Sequence, residues 1–189
     1  MEFVGFKSLH DYLEDNSCTL NACVRTNFCS QILSALNYCH QKQIIHLDLK
    51  PSNIVVTADN VCKIIDFGCS RGIDGIENSA YFENFESYTL GTVRYMAPEL
   101  FKNSKPTTKC DIYSFGIIMW QLVCRTIPYS NIESPEIIIY KVVAENLRPT
   151  FSNEAMLNFN KYCELAQCCW NKSPSERPSA QHLLLKLSE

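Results

Sequence analysis

His46-Leu47-Asp48-Leu49-Lys50-Pro51-Ser52-Asn53 is the stretch on which the reading of this chain turns. An aspartate, a lysine two residues on and an asparagine three beyond that converge on one site only if the backbone folds tightly between them. Two short β-branched runs follow, Ile54-Val55-Val56 and Val61 to Ile65, with Asp59-Asn60 as the turn between them. That pattern predicts a small hairpin, which then delivers Asp66-Phe67-Gly68. Phosphoryl transfer needs a carboxylate to orient the attacking hydroxyl, a cation on the moving phosphate and oxygen ligands for magnesium. This stretch supplies all of them.

Outward from the hairpin the periodicity is helical. Ser8 to Glu14 reads as a short amphipathic helix. Leu20, Val24, Phe28, Ile32, Ala35, Leu36 and Cys39 recur at the spacing of one helical face, predicting a helix from Leu20 to His40. Residues 71–90 are polar, acidic and without period, which predicts a surface loop. Further helices are expected over Cys110 to Cys124, Glu136 to Glu145, Leu157 to Trp170 and Ala180 to Leu187, with Pro149, Pro174 and Pro178 as punctuation. The expected fold is mainly α with one β-hairpin, its polar motifs gathered around that hairpin.

Bulk numbers fit one soluble globular domain: 189 residues, 46% hydrophobic and 20% charged. A formal charge of -3 leaves no basic footprint for nucleic acid and no polybasic membrane patch. The longest apolar run, Phe115 to Cys124, is about half of what a membrane-spanning helix requires. No basic-then-apolar leader is visible at Met1. The 11 cysteines contain no C-x-x-C pair and no metal-ligand ladder. An odd count without a framework reads as reduced thiols used as small core residues, pointing to the cytosol or nucleus.

The motifs resemble those of the protein kinases. Residues 46–53 are similar to that family's catalytic loop and Asp66-Phe67-Gly68 to its magnesium motif. Gly91-Thr92-Val93-Arg94-Tyr95-Met96-Ala97-Pro98-Glu99 resembles the substrate platform ending in A-P-E, and Asp111-Ile112-Tyr113-Ser114-Phe115-Gly116 the start of the buried central helix. Arg177 matches the late arginine that pairs with the A-P-E glutamate, here Glu99. The resemblance implies a kinase C-terminal lobe over residues 8–189, with catalytic loop 46–53 and activation segment 66–99, after a hinge remnant at 1–7. It implies that Asp48 orients the substrate hydroxyl and accepts its proton, that Lys50 stabilises the transferring phosphoryl group, and that Thr92 bridges towards both. Asn53 and Asp66 would hold magnesium. Glu2 and Val4 would offer backbone groups to adenine, with Met1 at the gatekeeper position and Val55 beneath the ring. The cofactors implied are ATP and Mg2+. Lys50 and the Gly91-Thr92 pair favour Ser/Thr over Tyr specificity.

Leu47 stands where an arginine is usual. H-L-D-L-K-P, V-C-K-I, D-F-G-C-S and L-R-P resemble the Mos kinases, Ser/Thr kinases that act as MAP kinase kinase kinases in oocyte meiosis. That likeness implies a MAP kinase kinase as protein substrate and a cytoplasmic location, with no nucleic acid and no membrane. Without an arginine at position 47, phosphate on Ser79, Ser87 or Thr89 has one fewer cation to grip, so activity is expected to depend little on activation-loop phosphorylation.

Several marked residues read as structural. His46 is expected to pack against Phe67, Asp111 to accept bonds from catalytic-loop amides, and Glu99 to pair with Arg177. His10, His40 and His182 have no visible partners and are expected to be ordinary helix residues. Cys69 is expected to be an inert thiol. No G-x-G-x-x-G occurs in the sequence. The expectation is therefore a chain that begins at the hinge, lacks the ATP-clamping N-lobe and is inactive alone, with apolar area exposed around Val55 and Phe67. The competing reading is a truncated, non-catalytic kinase-like binding module. A small-molecule phosphotransferase is disfavoured by the substrate platform.

Overall fold

The computed structural model describes residues 7–73, 89–102 and 104–189. Glu2, Val4, Met1, Ser79 and Ser87, given roles above, lie outside the described residues. The centre of the fold is a helix, α4 (Thr108–Cys124), in which every residue from Cys110 to Leu122 is buried. Its mean apolarity all round is what a central helix requires. Gly116 permits the close approach of α7 (Asn160–Cys169): a Cβ at Gly116 would sit 2.6 Å from Cβ of Cys169 and 3.1 Å from the Ala166 carbonyl.

The second long helix, α2 (Ala22–Gln41), begins at Asn21, whose side chain accepts the Val24 N–H. Its buried face carries Phe28, Cys29, Ile32, Leu33, Leu36 and Cys39 at helical spacing. Against it pack α4 and the last helix, α8 (Ala180–Ser188). The expected N-terminal helix is α1 (Leu9–Glu14), with Ser8 as its cap in a reciprocal capping box with Asp11.

The predicted hairpin is present as β3 (Ile54–Val56) and β4 (Cys62–Ile64), antiparallel, with Val55 opposite Lys63. Ile54 and Val56 face the core, while Val55 points to the other face and is half-buried. Two pairings were not expected. The strand β1 (Lys7–Ser8) adds to β3, so Lys7, placed in the hinge by the motif reading, pairs with Val56. The strands β2 (Ile44–Ile45) and β5 (Arg71–Gly72) also pair, giving the start of the supposed loop a fixed backbone.

One expected helix is two. The stretch Leu157 to Trp170 breaks at Phe159 (φ −134°, ψ 35°), separating α6 (Asn153–Asn158) from α7. The break sets the Phe159 ring 4.5 Å from the guanidinium carbon of the buried Arg25. In chain order α5 (Pro135–Ala144), capped by Ser134, comes between α4 and α6. Arg125, left-handed at φ 51°, closes α4 and sends its guanidinium to the carbonyls of Leu13, Cys18 and Asp15. A cation on the C-terminal carbonyls of α1 satisfies groups that the short helix cannot bond itself. Among the described residues, no helix is long and apolar enough to cross a membrane.

Candidate active site

The loop before the hairpin is built on strain held by a carboxylate. Leu47 has φ 66°, an unfavourable conformation for a branched side chain. Its N–H donates to Asp111 Oδ1 at 2.9 Å, and the His46 N–H donates to Asp111 Oδ2 at 2.9 Å. Asp111, in the first turn of α4, is fully buried. These bonds bear out the role expected of it. A third donor was not expected. His40, in the last turn of α2, reaches Asp111 Oδ2 through Nε2 at 2.9 Å. His40 is therefore not an ordinary helix residue but a tie between α2, α4 and the loop.

His46 is structural, as expected. Its Nδ1 accepts the Asp48 N–H at 3.3 Å, which assigns the proton to Nε2, and Nε2–H donates to the Ile65 carbonyl at 3.1 Å. The ring meets Phe67 edge to face, with centroids 4.9 Å apart. Both bonds orient the loop; neither ring nitrogen is left for proton transfer.

These supports bring Asp48, Lys50, Asn53 and Thr92 together. Lys50 Nζ lies 2.8 Å from Asp48 Oδ2 and 2.8 Å from Thr92 Oγ1. Thr92 sits in the short helix α3 (Leu90–Val93) at the start of the second described stretch. Asn53 Nδ2 donates to the Asp48 carbonyl and to Asp48 Oδ2, both at 2.9 Å. Asp48 Oδ1 is buried and has no hydrogen-bond partner among the described residues. One oxygen of this carboxylate is thus fully occupied, and the other is dry and unused.

Asp66 is delivered to the same place by the hairpin: the Ile65 N–H bonds the Asn53 carbonyl at 2.9 Å. Asp66 is exposed and left-handed at φ 61°, with Oδ1 accepting the Gly68 N–H at 3.1 Å. With the Asn53 NH2 group turned to Asp48, its amide oxygen and the Asp66 carboxylate are the hard donors available. One carboxylate and one neutral oxygen suit magnesium, which keeps waters and takes phosphate oxygens rather than a full protein cage. Among the described residues no cluster of three or more His, Cys, Asp or Glu offers a competing metal cage. Phe67 is 44% exposed beside this site. Cys69 is exposed, and partial burial of its sulfur, with the Asp48 and Asp66 carboxylates nearby, pushes its thiol up. It stays protonated, in keeping with an inert thiol.

The platform beyond Thr92 is anchored from below. Arg177, buried, makes a two-pronged pair with Glu99, Nη1 to Oε1 at 2.6 Å and Nη2 to Oε2 at 2.8 Å. It also donates to the carbonyls of Asn171 and Lys109 at 2.9 Å, and its guanidinium lies 5.0 Å from the Tyr113 ring centroid.

Comparison with known proteins agrees with this geometry. The protein kinase domain family matches residues 1–186. The chain belongs to the protein kinase family. Its relatives are Ser/Thr kinases. It is 39% identical to the serine/threonine-protein kinase mos of Patiria pectinifera over 99% of its own length and 52% of that protein's. It is 36% identical to the proto-oncogene serine/threonine-protein kinase mos of Sus scrofa, covering 99% and 57%. It is also 36% identical to a probable LIM domain-containing serine/threonine-protein kinase of Dictyostelium discoideum, covering 100% and 28%. The kinase chain thus spans about half the length of the mos relatives it matches.

Proposed function

We propose that residues 8–189 are the large lobe of a Mos-like Ser/Thr protein kinase that transfers the γ-phosphoryl group of ATP to a protein hydroxyl. The observation that carries the reading is the pair of unlike oxygens on Asp48: Oδ2 is clamped by Lys50 and Asn53, and Oδ1 is buried with no partner. A carboxylate oxygen kept from water without a donor is costly unless a substrate supplies the donor. The substrate hydroxyl fills that role. Asp48 Oδ1 orients it and takes its proton as the oxygen bonds to the γ-phosphorus and the bond to the ADP oxygen breaks. Lys50 meets the charge on the moving phosphoryl oxygens, and Thr92 fixes the ammonium in place. Magnesium, when bound at Asn53 and Asp66, neutralises phosphate charge. Val55 would lie beneath the adenine, with Glu2 and Val4 contributing backbone groups.

The mos relatives support a finer reading: a MAP kinase kinase kinase acting in the cytoplasm, in oocyte meiosis, on a MAP kinase kinase. Leu47 is buried and uncharged, which supports low dependence on activation-loop phosphorylation. Loss of activity after phosphatase treatment would contradict that point.

The test is magnesium-ATP phosphorylation of a MAP kinase kinase by this chain and by the full-length protein, each beside Asp48→Asn. Activity that falls about 10²–10⁴-fold in Asp48→Asn supports the reading. Activity in the full-length protein alone assigns the chain the role of a lobe that works with an ATP clamp. Activity in neither form rejects phosphoryl transfer to this substrate and favours a binding module.

A further inference from the structure

A cavity of about 200 Å³ opens beside the catalytic loop, and its charged lining is cationic. Its lining includes Lys50 and Ser52 of the catalytic loop, His10 of α1, and Arg94, Tyr95 and Ile127. No acidic residue lines it among the described residues. The two cations and the His10 ring are not equivalent. Lys50 is held by Asp48, and His10 has Glu14 at 3.5 Å along its own helix. Arg94 pairs with no carboxylate among the described residues. Among the described residues its side chain makes one long hydrogen bond, Nη2 to the Ile132 carbonyl at 3.5 Å, and its buried Nε has no acceptor there.

A guanidinium holds five donors in a planar fork suited to a carboxylate. One whose inner N–H is removed from water and left unbonded is a binding group waiting for an acceptor. The cavity shares Lys50 with the catalytic cluster and Gly91 with the Thr92 helix. A peptide with its acceptor hydroxyl at Asp48 would bring flanking residues, not that hydroxyl, to this cavity.

We propose that this cavity is a specificity subsite for an Asp or Glu side chain of the protein substrate, a few residues from the phosphorylated hydroxyl, with Arg94 as the residue that reads it. The inference rests on the kinase reading above. Lys50 adds positive potential beside Arg94, and Ile127 and Tyr95 supply an apolar bed for the methylenes of the acid. Basic flanking residues are disfavoured by the same charges.

The experiment uses the full-length protein and a serine peptide series in which Glu, Gln, Lys or phosphoserine is placed at one flanking position at a time. At one position the wild type should prefer Glu over Lys by about 10-fold or more in kcat/KM. Arg94→Glu should reverse that ranking, and Arg94→Gln should flatten it. An indifferent wild type overturns the proposal even if the variants fail to fold. A Glu preference that survives in Arg94→Glu overturns it too, as does a preference for phosphoserine with none for Glu. Fluorescence anisotropy of the same labelled peptides on full-length Asp48→Asn separates the two claims. Acid-selective binding without phosphorylation in the wild type sinks the kinase reading and keeps the subsite. Phosphorylation without any acid preference does the reverse.

Discussion

Asp48 and Asp111 are two aspartates lifted from water in adjoining parts of the molecule, and their surroundings differ oxygen by oxygen. Asp111, at the base of the catalytic loop, has donors on both oxygens: the amides of His46 and Leu47 and the ring of His40. Asp48, on the loop's outer side, has one oxygen shared by Lys50 and Asn53 and one with nothing. Glu99 belongs with Asp111, since Arg177 occupies both of its oxygens. A buried charge persists when it is satisfied. The carboxylates that hold the fold are complete, and the one left incomplete is where a substrate hydroxyl completes the set.

That contrast sorts the expected effects of substitution. The largest change in stability should come from breaking the Glu99–Arg177 pair. Arg177→Ala strands the largely buried Glu99 carboxylate and removes the ties to Asn171 and Lys109, so urea unfolding should show a loss of about 3–5 kcal/mol. Next is Asp111→Asn. Its NH2 group must face at least one of three fixed donors, and the left-handed Leu47 loses its restraint. A loss of about 1–3 kcal/mol is expected by the same measurement, with a fall in activity that follows from the displaced loop. A wild-type-like midpoint for Asp111→Asn would blur the distinction between the two aspartates.

The smallest effect concerns buried groups that must stay neutral rather than charged. Burial pushes the Cys62 thiol up to about 12 and the Cys124 thiol up to about 11, from an ordinary value of 9.0. A raised folded value means that the thiol's contribution is intact below pH 9 and is lost as the pH rises towards 11–12. Lys109 is held below its ordinary value, by burial first and Arg177 second, and so works in the opposite direction over the lysine range. Under reducing conditions the urea midpoint should hold to about pH 9 and then fall, and less steeply in Cys62→Ala measured against its own neutral-pH value. A flat profile to about pH 11 would place these thiols in wetter surroundings.

The parts of this fold that could be read from sequence are those written within a few residues. The hairpin, the convergence of Asp48, Lys50 and Asn53, and the short N-terminal helix follow from local spacing and turn chemistry. The Asp111 and Glu99–Arg177 ties could be read only through family motifs, because their partners lie far along the chain. Where no motif flagged a residue, long-range contacts stayed hidden. His40 meets Asp111 across 71 positions, Arg25 meets Leu122 across 97, and Arg125 meets Leu13 across 112. Each is a polar side chain on an apolar-looking stretch, and nothing local says which carbonyl or carboxylate it will find. The division at Phe159 was hidden for a related reason. Helical periodicity continues through it, and the contact that accompanies the break, the Phe159 ring on Arg25, joins residues far apart in the chain. Two-residue strands such as β5 are too short to leave any period at all.

The most direct test of the central claim is the urea unfolding free energy of Asp48→Asn beside that of the wild type, on the same preparations assayed for phosphoryl transfer. An asparagine can keep its oxygen towards Lys50 and Asn53 and put its NH2 where Oδ1 had no partner. The account predicts stability within about 1 kcal/mol of wild type while transfer falls about 10²–10⁴-fold. A loss of about 3 kcal/mol or more, comparable to Arg177→Ala, would contradict it and make Asp48 another carboxylate that holds the fold.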